Sequence, residues 1–175
     1  MSAGELFARH LPQLLLWGLI ATVAMTTILQ GSQGLGLSRL SLPFLVGTFF
    51  SRNRNHATVI GFVAYVIGGW GFAMLYFLFF AGIGIANWWL GALLGFLHGL
   101  FLLVAALPLL PYVHPRMASE HDGPRTAGYI LEPPGFLGLN YGRRTPLSTL
   151  LGQVVYGATL GGLCQAAGIL GGGGG

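Results

Sequence analysis

One histidine lies deep within an apolar stretch of the chain, where an ionisable side chain is costly. His98 lies about midway along residues 88–107, which contain no Asp, Glu, Lys or Arg. An imidazole at such a position is by default a candidate functional group, as a haem ligand, a proton relay or a polar contact for a substrate. Haem held between two histidines needs a second one at similar depth, and the sequence offers none. The alternative is a neutral structural histidine bonded to a polar side chain across the bundle: Gln153, Tyr156, Tyr65 or Thr26.

Possible metal ligands follow in a segment flanked by prolines. His114, Met117 and His121 would share one face of a short helix that begins at Pro115, because offsets of three and seven residues return to nearly the same angle. Histidine with methionine suits copper, and histidine with a carboxylate suits zinc or iron. His56, which precedes an apolar stretch, could join them. The spacing matches no closed metal signature, so an amphipathic cap facing water and headgroups is the alternative.

A basic pair precedes the last apolar stretch. Arg143 and Arg144 are positioned to bind a lipid phosphate, because paired guanidinium groups next to a membrane segment attract anionic headgroups. A plain topology anchor explains the pair equally well.

The amino-acid composition indicates that lipid, and not water, surrounds most of the protein surface. Of the 175 residues, 54% are hydrophobic and only 7% are charged, against about 25% charged in a typical soluble domain. Twelve charged side chains are too few to solvate the surface of a globule of this size. The cations are eight arginines scattered over several loops, which indicates positive flanks of membrane segments and no nucleic-acid partner.

Charge-free stretches define the elements that must position the candidates. Residues 11–30 match a bilayer core of about 30 Å, since a helix rises about 1.5 Å per residue. The charge-free run 57–113 would be about 86 Å long as one helix, so it must turn back, most naturally at the glycines and asparagine of 82–87. Pro108, Pro111 and Pro115 are expected to end the third helix. The sequence therefore predicts four spans, which are 11–30, 58–81, 88–107 and 147–170.

The remaining segments are assigned by length and composition within a single transmembrane domain, 1–170. Residues 40–50 are apolar but too short to cross, so we expect an interfacial or re-entrant segment. The loop 108–145 contains prolines, glycines and several aromatic residues, which predicts a cover lying on the membrane surface. Residues 171–175 are five glycines, typical of a flexible tail.

The arginines predict the orientation. With four spans, seven arginines fall in the two long loops, 31–56 and 108–145, and one falls on the side of the termini. The positive-inside rule then places both loops in the cytoplasm and both termini on the opposite side, which in a bacterial inner membrane would be the periplasm.

Glycines repeat at helical spacing in two of the spans. Gly91, Gly95 and Gly99 form two consecutive G-x-x-x-G steps, and Gly157 and Gly161 form another. Small residues at this spacing let helix backbones approach closely within a bilayer. The pattern predicts helix packing, either within the chain or against a second copy.

Three stretches resemble a known family. GSQGLGLSRLSLPFLVGTFFS (31–51), HPRMASEHDGP (114–124) and LEPPGFLGLNYGRRTPL (131–147) are similar to a family of small bacterial four-helix inner-membrane proteins with no assigned activity. The resemblance covers residues 26–162. It implies a bacterial four-helix membrane protein and transfers no site residues.

These observations predict an all-α integral membrane protein, a bundle of four transmembrane helices with two long loops on one face. The favoured function is a non-enzymatic module that binds lipid, itself or another membrane protein through the loop face and the glycine-lined helices. No cofactor is predicted on this hypothesis. The alternative is a metal- or haem-dependent enzyme or metal carrier that uses copper, zinc or haem. A third is a small transporter of a neutral substrate, because the spans lack the charged groups that usually couple transport to ions.

Overall fold

A computed structural model describes residues 3–118 and 131–170. Within these ranges every regular element is a helix, and the single β-bridge joins Met117 to Leu131. Four helical stretches are long and apolar enough to cross a membrane, which confirms the prediction of an all-helical chain with four such stretches. The helices are α1 (Ala3–Gly34), α2 (Leu42–Phe50), α3 (Arg54–Ile83), α4 (Trp88–Phe101), α5 (Leu107–Val113) and α6 (Thr145–Ala166).

The third apolar stretch does not end at the first proline. A π-helical turn, Leu102–Ala106, joins α4 to α5, and the helical stretch continues past Pro108 and Pro111 to Val113. The amide of Leu107 bonds to the carbonyl of Leu102, five residues earlier. This wider turn relieves the clash that a proline ring makes with the preceding turn of an α-helix. The helical stretch therefore ends before Pro115, the last of the three prolines expected to end it, and six residues beyond the predicted boundary at residue 107.

The fourth long helix is shorter than predicted at its C-terminal end. It ends at Ala166, and Gly168 follows with a φ of 61°, a left-handed conformation that favours glycine. The amide of Gly168 bonds to the carbonyl of Gln165 at 3.0 Å. This C-terminal cap stops the helix four residues before the predicted boundary.

Contacts between residues divide the chain into two compact units. Unit 1 comprises the described residues of 1–28, 66–99 and 150–175, and unit 2 comprises those of 29–65 and 100–149.

In unit 1 the glycine row of α4 packs on α6. A Cβ atom at Gly91 would overlap the carbonyl oxygen of Gly157, and one at Gly157 would overlap that of Gly91. Gly95 lies in the same way against the carbonyl of Gln153, and Gly161 against that of Asn87. The two helices therefore touch through their backbones. Within unit 1 the partner of this glycine row is α6, a helix of the same chain.

In unit 2 the segment 40–50 forms α2 and packs on the first part of α3. Ser41 caps the N-terminus of α2 by accepting a hydrogen bond from the Phe44 amide, with Pro43 in the first turn. Gly47 lies against the carbonyl of Ala57, and Gly61 lies against that of Pro43. These close approaches hold the short apolar helix against the long one.

A compact turn follows in the second long loop of unit 2. Phe136–Tyr141 forms a 3-10 turn in which Leu137 and Gly138 have φ values of 55° and 69°. Gly138 lies beside Thr145 and Leu107, and the carbonyl of Tyr141 accepts a 2.7 Å hydrogen bond from the Arg39 amide. The two long loops thus contact each other within unit 2.

Candidate functional site

The described part of unit 2 is strongly basic. It contains six arginines and one acidic residue, Glu132. Arg39 donates to the Asn140 carbonyl at 2.5 Å and lies 3.4 Å from the Glu132 carboxylate, the one ion pair among residues 3–118 and 131–170. The six arginines are Arg39, Arg52, Arg54, Arg116, Arg143 and Arg144.

The predicted pair Arg143 and Arg144 lies between the 3-10 turn and α6. Both residues are exposed, and neither guanidinium group has an ion-pair partner within the described ranges. Two residues before Arg143, Tyr141 donates a 2.5 Å hydrogen bond to the Glu132 carbonyl. Burial raises the pKa of Tyr141 to about 12, and the nearby Glu132 carboxylate acts in the same direction. The phenol therefore stays neutral and holds the loop that presents the two arginines.

An open cavity of about 190 Å³ lies next to this loop in unit 2. It has a mixed lining of charged, aromatic and aliphatic side chains, including Arg39, Phe44, Leu131, Glu132 and Tyr141. Arg54 lies over the face of the Phe44 ring, 5.9 Å from its centroid. The surface around the cavity thus offers cations beside apolar groups.

His114 is buried, with 4% of its surface exposed, and both of its ring nitrogens are engaged. Its Nδ1 accepts a 3.1 Å hydrogen bond from the Arg116 amide, which places the ring hydrogen on Nε2. That Nε2 lies 3.1 Å from both the Leu45 carbonyl and the Thr48 hydroxyl. Burial lowers the pKa of His114, the bond to Leu45 opposes this shift, and Arg116 adds to it.

These contacts change the interpretation of His114 as a metal ligand. A metal would have to replace one of the hydrogen bonds that the ring makes to α2 or to Arg116. The Arg116 side chain also donates to the Thr48 carbonyl, so the same residues join the two loops. His114 serves here as a structural connection between α2 and the end of α5.

The helix expected from Pro115 onward is wrong for the described residues. His114 is extended, residues 115–116 form a turn, and Met117 forms the isolated bridge to Leu131. The arrangement that would have placed His114 and Met117 on one helical face is therefore not formed. His121, the third predicted ligand, lies outside the described residues.

The other metal candidate, His56, is exposed in the first turn of α3. In residues 3–118 and 131–170 no three His, Cys, Asp or Glu side chains lie close enough together to hold a metal ion. Binding of copper, zinc or haem stays the alternative hypothesis, which elemental analysis and a visible absorption spectrum would test.

In unit 1 His98 contacts a tyrosine that the sequence analysis did not single out. Its Nδ1 lies 3.3 Å from the Tyr76 hydroxyl, and its ring lies 4.1 Å from that of Phe72, centroid to centroid. The predicted residue Tyr156 instead donates a 2.6 Å hydrogen bond to the Gly69 carbonyl. Tyr76 lies 22 residues before His98, on another helix, and no spacing rule connects the two positions.

Two polar atoms in this region have no hydrogen-bond partner among the described residues. They are the Nε2 of His98 and the Oε1 of Gln153, and both are buried. Gln153 as a whole is 3% exposed. Buried polar groups are nearly always hydrogen bonded, so these two atoms distinguish the region from an ordinary helix contact.

Comparison of the chain with protein families, curated proteins and solved structures finds no match.

Proposed function

We propose that this protein is a multi-pass protein of the bacterial inner membrane that binds anionic phospholipid headgroups at Arg143 and Arg144 and catalyses no reaction. The exposed charge of this pair, which has no ion-pair partner in residues 3–118 and 131–170, is the observation that carries the proposal. A guanidinium group donates two parallel hydrogen bonds to a phosphate, so two adjacent arginines suit a phospholipid headgroup.

The long helices support the membrane location. In the most apolar windows of α3 and of the stretch Trp88–Val113, 28% and 22% of the residues are buried within the chain. The rest present large apolar side chains outward, for example Ile67, Leu97 and Phe101, each more than half exposed. A surface of this kind is unstable in water and is stable in contact with lipid tails.

The excess of arginine supports the orientation. The described residues of unit 2 include six arginines, in the loops and at the start of α3, against one acid, and segments with such an excess are retained on the cytoplasmic side. That leaflet is rich in anionic lipids, and each basic residue near its surface contributes about 1 kcal/mol to binding.

The test compares the retention of two lipids by the purified protein. The protein is exchanged into nanodiscs that contain phosphatidylcholine and about a fifth phosphatidylglycerol, so that the two lipids compete for the site. The lipid molecules that co-purify with the protein are then counted by native mass spectrometry. The double variant Arg143→Gln/Arg144→Gln is expected to bind phosphatidylglycerol about 30-fold more weakly, because each lost cation removes about 1 kcal/mol of binding free energy.

The matched control is Arg9→Gln, an exposed arginine on α1. It is expected to retain phosphatidylglycerol as the unmodified protein does. Equal retention by the double variant, or equal loss in the control, would contradict headgroup binding at this pair.

A further inference from the structure

The helix contact around His98 contains polar atoms that lipid binding at the loops does not use. His98 Nε2 and Gln153 Oε1 both belong to unit 1 and are buried without a partner in the described chain. Within a bilayer there is no bulk water to satisfy such atoms, so leaving them unpaired is costly.

The packing brings the backbone next to His98 and the side chain of Gln153 to one helix crossing. A Cβ atom at Gly99, next to His98, would lie 3.3 Å from the Cβ of Gln153. Tyr76 contacts both sides of this crossing, since its hydroxyl lies 3.3 Å from His98 Nδ1 and its ring lies 5.6 Å from that of Tyr156. Tyr156 and Gln153 are three residues apart on α6 and share a face.

We propose that His98 and Gln153 form an intramembrane site for one hydroxyl group, which bridges the imidazole and the side-chain amide. If Tyr76 donates to Nδ1, the ring carries its hydrogen on Nε2, and a hydroxyl can accept from Nε2 and donate to Oε1. If Nδ1 instead donates to Tyr76, then His98 Nε2 and Gln153 Oε1 are both acceptors, and only water has two hydrogens to donate to them. The ligand is therefore water in either tautomer, or an alcohol in the first.

The first experiment uses the full chain with ¹⁵N-labelled histidine in phosphatidylcholine nanodiscs. The His98 signal is identified by its loss in His98→Phe. Transfer of magnetisation from water to His98 Nε2 is then measured in the unmodified protein, in Gln153→Met and in the control Gln30→Met, an exposed glutamine on α1. Loss of the transfer in Gln153→Met alone supports a bound water.

The second experiment adds benzyl alcohol or, as its counterpart without a hydroxyl, toluene. A shift of the His98 Nε2 signal with benzyl alcohol and not with toluene, abolished in Gln153→Met, supports an alcohol as the ligand. The measurements on the unmodified protein test the proposal even if the variants fail to fold. Without water transfer to Nε2, and with no difference between benzyl alcohol and toluene, the proposal is overturned. A transfer that persists in folded Gln153→Met also overturns it.

Discussion

At the scale of single residues, the half-buried His98 and the buried His114 differ in how completely they are paired. His114 uses both ring nitrogens within unit 2, whereas His98 in unit 1 bonds to the described part of the chain through Nδ1 alone. The sequence indicates which histidines lie in apolar surroundings, but their partners are distant in the chain. Thr48 lies 66 residues before His114 and Tyr76 lies 22 residues before His98. Such pairs arise from tertiary packing, which one sequence does not reveal.

The burial of His114 predicts that the stability of the folded protein depends on pH. Burial holds its folded pKa below the unfolded value of about 6.5, so the folded state favours the neutral ring. The unfolded chain then binds more protons as the pH falls below about 6.5, and stability is lost on acidification towards the folded pKa. The midpoint of thermal unfolding in nanodiscs should therefore fall as the pH is lowered from 7 to 5.

The variant His114→Gln should flatten this dependence, since it has no group to protonate at that position. The control His56→Gln changes an exposed histidine and should keep the slope of the unmodified protein. A slope that is identical in all three proteins would show that His114 is not its origin.

At the scale of elements, the existence of the long helices is predictable and their ends are not. Charge-free length decides whether a stretch can span a bilayer, and that quantity is read directly from the sequence. The end of a helix depends on individual hydrogen bonds. With the π-helical turn before Pro108, the third long helix extends beyond its predicted end. With the cap at Gly168, the fourth long helix ends before its predicted end.

The glycine row predicts a strong effect of adding a single methyl group. Gly91→Ala would place a carbon atom on the carbonyl oxygen of Gly157, so α4 and α6 must separate. We expect a loss of stability of about 1–3 kcal/mol, typical of overpacking. Steric-trapping or thermal unfolding in nanodiscs would measure this loss.

Gly71→Ala is the matched control, because Gly71 is an exposed glycine of α3 with nothing within 4 Å of an added Cβ atom. It should leave stability unchanged or slightly raised, since alanine favours helix. Equal stability of Gly91→Ala and Gly71→Ala would show that the backbone contact between α4 and α6 is not formed in the membrane.

At the scale of the whole molecule, the central claim is that four helices cross a bilayer and that both long loops emerge on its cytoplasmic side. The loops contact each other within unit 2, through Arg39 and Tyr141 and through Thr48 and His114, which agrees with a common side. The arginine count predicts this side, and the length of each long helix is sufficient to cross.

The most direct test is labelling of single cysteines in the Cys164→Ala background with a membrane-impermeant maleimide. Suitable exposed positions are Leu35 in the first loop, Leu139 in the second and Ile85 in the short turn after α3. In spheroplasts we expect labelling at Ile85→Cys alone, and in inside-out vesicles we expect labelling at Leu35→Cys and Leu139→Cys alone. Labelling of Ile85→Cys and Leu139→Cys from the same side would contradict it.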